Sequence, residues 1–174
     1  MSILTPDSFD GGEQNVPNLS NIGVREALQD SIDKYEKRFL KELLGDDLAK
    51  QFTDGLAAIP PIEQKWIDLR DNTDLKEMLL YYVWFYYTNY QITFNSGTSE
   101  VKTKNENSTP ASSYPKMVYA WNQMVELTRS FNLDPNIYPD WIYALNKPYW
   151  PWYEFWYYGC GHSEIFFTKN RYGL

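Results

Sequence analysis

A chain of 174 residues with 43% hydrophobic and 22% charged residues can bury one proper core but not two, and its composition excludes a disordered polymer. Sixteen Lys and Arg against 23 Asp and Glu leave a net charge of −7 with no basic run, which speaks against non-specific nucleic-acid binding and sequence-specific DNA reading. A single cysteine excludes an internal disulfide framework, and fifteen Tyr, nine Phe and seven Trp are more rings than a monomer of this size readily hides.

Residues 1–20 carry Pro6, Gly11, Gly12 and Pro17 among small polar side chains, with no hydrophobic period. They read as a flexible arm ahead of a single domain over 21–174. Asp7, Asp10 and Glu13 stand where a secretory signal needs bases and an apolar stretch. The longest apolar run, Met78 to Tyr87, is ten residues, about half of the ~20 needed to cross a membrane. Both features predict a chain that folds in a reducing, intracellular setting without a membrane partner.

Val24, Leu28, Ile32, Tyr35, Phe39 and Leu43 recur at spacings of three and four, which predicts an amphipathic helix stopped by Gly45. Asp46 or Asp47 is placed to cap a second helix through about Leu56. Pro60 and Pro61 break the chain before a short helical piece from Ile62 to Leu69. Asn72, Thr73 and Asp74 offer caps for the next helix, with Glu77 completing a capping box to Asp74. That helix, Leu75 to Tyr90, is apolar all round and must be enclosed by its own domain or by another subunit.

Ile92 and Phe94, then Val101 and Thr103, alternate with polar residues around Gly97, which predicts a β-hairpin at about 91–104. A polar link over 105–113 leads to a helix opened by Ser113 and Pro115, with Met117, Trp121, Met124, Val125 and Thr128 on one face and Phe131 and Leu133 closing it. A shorter helical piece is expected from Tyr138 to Leu145. Between Tyr138 and Tyr158, eleven of 21 positions are aromatic, while Pro148 and Pro151 forbid one continuous helix. The expected fold is therefore mainly α: a helical bundle with one β-hairpin and an irregular, aromatic-rich segment over about 138–174, with a short strand at Ile165 to Phe167.

Chemistry is sparse. His162 is the only histidine, and Cys160, His162 and Glu164 would share one side of a strand. Catalytic triads, however, draw their members from separate elements, and no second Cys or His completes a structural zinc site. No phosphate-binding loop or dinucleotide fingerprint occurs. The chain is thus read as non-enzymatic, with no cofactor and no metal. Its binding candidates are aromatic and apolar: Trp84, Phe85, Tyr86, Ile92, Phe94, Val101, Trp141, Trp150, Trp152 and Trp156. Such side chains anchor protein interfaces. The alternative is a carbohydrate platform built from Trp141, Trp150, Trp152 and Trp156 of the tail.

The order of these signals resembles the small head–tail connector, or head-completion, proteins of tailed phages, particularly those of gut Bacteroidales. The resemblance is carried by Tyr35-Glu36-Lys37-Arg38-Phe39-Leu40 leading to Leu43-Leu44-Gly45-Asp46-Asp47-Leu48, by the aromatic helix and by the Ser96-Gly97 turn. It continues through Asn107-Ser108-Thr109-Pro110-Ala111-Ser112, Asn136-Ile137-Tyr138-Pro139-Asp140-Trp141 and the final Asn170-Arg171-Tyr172-Gly173-Leu174. It spans roughly residues 22–145 and, more loosely, the tail, where residues 146–163 are more aromatic than the family pattern. It implies a virion or prophage subunit, assembled in the bacterial cytoplasm, forming a homo-oligomeric ring under the portal with DNA as passing cargo. In that setting the aromatic surfaces would supply one ring contact and the hairpin would augment a neighbour.

Overall fold

A computed structural model describes residues 2–60, 62–97 and 114–141. Among these, a 3-10 turn at Pro6–Phe9 precedes five helices: α1 (Ile22–Leu44), α2 (Asp46–Ala57), α3 (Gln64–Asp71), α4 (Thr73–Gly97) and α5 (Tyr114–Ser130). The described chain is mainly helical, as its periodicity predicts.

α1 starts where Asn21 turns its side chain back onto the helix, its Oδ1 accepting from the N–H groups of Gly23 (2.9 Å) and Val24 (3.4 Å). The predicted stripe faces inward: Leu28, Ile32, Phe39 and Leu43 are all buried. Gly45 ends the helix at φ 80°, a left-handed value that costs a residue with a Cβ more than it costs glycine. Its N–H donates to Lys41 O and its own carbonyl accepts from Ala49 N, both at 3.0 Å. Gly45 thereby closes α1 and opens α2. The expected side-chain cap from Asp46 or Asp47 is not used; both stand in the first turn of α2, where their charge meets the positive end of the helix.

α4 is the axis of the body, packing against α5, α1 and α3. Its cap is Asn72, whose Oδ1 accepts from Leu75 N at 2.9 Å, in place of the expected box between Asp74 and Glu77. Every residue from Tyr81 to Tyr87 is buried. Seven consecutive positions cover the full circumference of a helix, so the chain's own elements enclose it.

Two expectations are corrected. Residues 91–97 are not the first arm of a hairpin but the last turns of α4. No proline interrupts Gln91 to Asn95, and a helix already under way adds a residue more cheaply than a strand starts. Residues 98–104 lie outside the described residues, as do 105–113 and the tail after Trp141. The second correction concerns the amino-terminal arm, which is folded onto the body. Leu4, Phe9 and Val16 are buried in the same core as α1 and α4. The buried Glu36 carboxylate on α1 accepts from Ser2 Oγ (2.8 Å), Ile3 N (3.0 and 3.1 Å) and Leu4 N (3.1 Å). Asp7 and Arg25 add a two-pronged ion pair at 2.7 and 2.8 Å. Three widely spaced apolar residues form no period, which is why this docking is invisible to pattern reading.

Candidate functional site

The rings proposed as interface anchors turn inward. Trp84 and Tyr86 are 7% exposed, and Phe85 and Trp141 are 1% exposed. Phe85 and Tyr86 both pack on Trp121 of α5, with ring centroids 4.9 and 6.5 Å away. Trp141 meets Phe131 edge-on at 5.5 Å, and its Nε1 donates to Asn132 Oδ1 at 3.3 Å. These four residues therefore belong to the core of the chain. Ile92 and Phe94 stand on the final turns of α4. Val101, Trp150, Trp152 and Trp156 lie outside the described residues, as do Cys160, His162 and Glu164.

A polar thread runs through the α1–α4 contact. The Tyr82 hydroxyl donates to Glu42 at 2.9 Å, and Arg38 Nε donates to the other Glu42 oxygen at 2.8 Å. The Arg38 guanidinium lies 5.3 Å from the centre of the Tyr86 ring, which in turn stacks on Tyr35 at 4.6 Å. Burial, reinforced by neighbouring Tyr86 and Glu42, pushes the Tyr82 phenol far above its ordinary value, so it stays a neutral donor. Partial burial works against the Arg38 charge, but the hydrogen bond to Glu42 together with the neighbouring Tyr82, Tyr86 and Glu42 outweighs it and holds Arg38 more firmly protonated. The thread locks two helices together.

An open cleft of about 690 Å³ lies where the amino-terminal segment, α4 and α5 meet. It is lined by Glu13, Gln14 and Asn15 of the amino-terminal segment, Tyr81 and Trp84 of α4, and Lys116 and Tyr119 of α5. The Tyr81 hydroxyl points to Glu13 Oε2 at 3.5 Å, a long contact. The Glu13 carboxylate also acts on the Tyr119 phenol and pushes its pKa upward. Burial pushes the Tyr81 phenol up as well, and neighbouring Gln14 partly offsets this. Asn15 Oδ1 accepts from Gly11 N at 3.3 Å. Tyr119 is 45% exposed, so one large ring is open to the solvent side of the cleft.

Sequence reading missed this site because half of it lies in the segment taken for a flexible arm. The available signal was Phe9 and Val16, two large apolar residues embedded in a polar stretch. Chemically the cleft offers a carboxylate, an ammonium, amides and an aromatic face. Among the described residues no group of three His, Cys, Asp or Glu side chains is placed to hold a metal ion, and no described helix is long and apolar enough to cross a membrane. Comparison of the chain with family models, curated proteins and solved structures finds no match.

Proposed function

We propose that the chain is a structural subunit of a tailed-phage head–tail connector, assembling into a ring beneath the portal and letting DNA pass. The reading starts from the resemblance of residues 22–145 to that family and is supported by the helical body just described. The observation that carries it is the position of two exposed apolar side chains. Ile22, at the start of α1, is 74% exposed, and Ile59, between α2 and α3, is 90% exposed.

A ring built head to tail joins two different surfaces on each subunit, so it needs apolar anchor points on separate elements. Ile22 and Ile59 meet that requirement, whereas the aromatic residues of α4 are spent on holding the body rigid. The net charge of −7 suits a channel wall that must not grip a polyanion.

Electron microscopy of the purified full chain tests the proposal. Closed rings with a central channel are the expected particles. Particles with only two-fold symmetry would contradict a head-to-tail contact, and a field of isolated subunits would contradict self-assembly.

A further inference from the structure

We propose that the cleft between the amino-terminal segment, α4 and α5 binds a neutral pyranose unit of an oligosaccharide, stacked on Tyr119 and held by Glu13 and Lys116. This inference stands apart from the connector reading and uses none of its surfaces. Its volume, about 690 Å³, falls in the range of roughly 300–1,000 Å³ typical of small-molecule sites.

The chemistry of the lining selects the ligand class. A phosphate or nucleotide needs converging cations or backbone N–H groups, but the one cationic side chain of the lining, Lys116, shares it with the carboxylate of Glu13. The carboxylate of Glu77 is close enough to act on both Tyr81 and Tyr119, which further disfavours an anion. An organic cation would sit beside Lys116 in the same cleft. A lipid chain would strip water from Glu13, Gln14, Asn15 and Lys116 without returning hydrogen bonds.

A sugar avoids each of these costs. Its hydroxyls both donate and accept: Glu13 accepts, Lys116 donates, and the Asn15 amide keeps its NH₂ because its oxygen is already engaged by Gly11 N. The apolar face of a pyranose matches the open ring of Tyr119. The site is also ordered in advance. The Tyr81 hydroxyl approaches Glu13 Oε2 at 3.5 Å and Asn15 Oδ1 accepts from Gly11 N, so part of the lining is fixed before a ligand enters.

The test is calorimetric titration of the full chain with cellohexaose, maltohexaose and N-acetylchitohexaose. Saturable binding of at least one is expected. Tyr119→Ala should weaken it roughly tenfold or more, the scale of a lost stacking contact together with its hydrogen bond. Tyr119→Phe, which keeps the ring, should weaken it less than Tyr119→Ala, and Lys116→Ala should also reduce affinity. Tyr119 is on the surface, and far-UV circular dichroism would verify that each variant keeps its helices. Absence of binding to all three sugars would overturn the inference. So would binding that survives Tyr119→Ala unchanged, or that is abolished by Trp150→Ala in the tail.

Discussion

At the scale of single residues, stability turns on a few positions where no other side chain fits. Gly55 lies in α2, where alanine would ordinarily gain about 1 kcal/mol of helix propensity. A Cβ there would run into Cδ1, Nε1 and Cε2 of the Trp66 ring. Trp66 is 5% exposed and flanked by Phe52 and Tyr138 at 6.1 Å each, so it has little room to retreat. Overpacking of this kind costs about 1–3 kcal/mol, which outweighs the propensity gain. Gly55→Ala should lower the urea midpoint, and an unchanged or raised midpoint would show that Trp66 moves aside freely. Glu36 is the counterpart for the amino-terminal segment. Glu36→Ala leaves the N–H groups of Ile3 and Leu4 without their acceptor, at a cost of about 2–4 kcal/mol. Amide hydrogen exchange at those two residues should accelerate well beyond that of the α4 core; equal protection in the variant would mean that the carboxylate does not hold the segment.

Elements with a clear hydrophobic period were legible before any coordinates. Leu28, Ile32, Phe39 and Leu43 of the α1 stripe are buried, with Tyr35 half-buried against the core, and the α5 face from Met117 to Thr128 is buried, as their spacing predicts. What failed was the reading of residues 91–97, because Ile92 and Phe94 alternate for only two steps and the continuing helix needed no new nucleus. The junction of α3 and α4 gives a prediction at this scale. Hydrogen bonds from Arg70 and then Lys76 lower the Asp71 carboxyl from the ordinary 3.8 to about 2, so Asp71 bridges the end of one helix and the start of the next. A depressed carboxyl contributes its stability above its unfolded pKa and loses it as pH falls through the folded one. Asp71→Asn should therefore show a small deficit that is constant above pH 3.8 and fades towards pH 2. The group is exposed, so the effect is modest; a deficit that persists in full at pH 2 would remove charge as its cause. Chemical denaturation at each pH reads it directly.

Across the whole molecule, one helix apolar on every side organises the fold. α4 uses its rings on α1 and α5, which resolves part of the aromatic excess that composition alone had directed to interfaces. The cleft was not legible in the sequence, because Glu13, Tyr81 and Tyr119 come from three distant segments and converge only once the amino-terminal residues fold back. Ile22 and Ile59, the most exposed of the three exposed isoleucines among the described residues, are the contact points of the proposed ring. Ile22→Asp and Ile59→Asp each block one side of a head-to-tail contact and leave the other intact. Either variant alone should fail to form rings, and an equimolar mixture should stop at a dimer of the two complementary variants. Rings persisting in both single variants would place the contact elsewhere.

The most direct test is the solution mass of the unmodified chain by light scattering over a wide range of concentration. A closed assembly of defined mass, a fixed multiple of 20.6 kDa, is the predicted result. A mass of one subunit at every concentration would contradict a self-assembling ring.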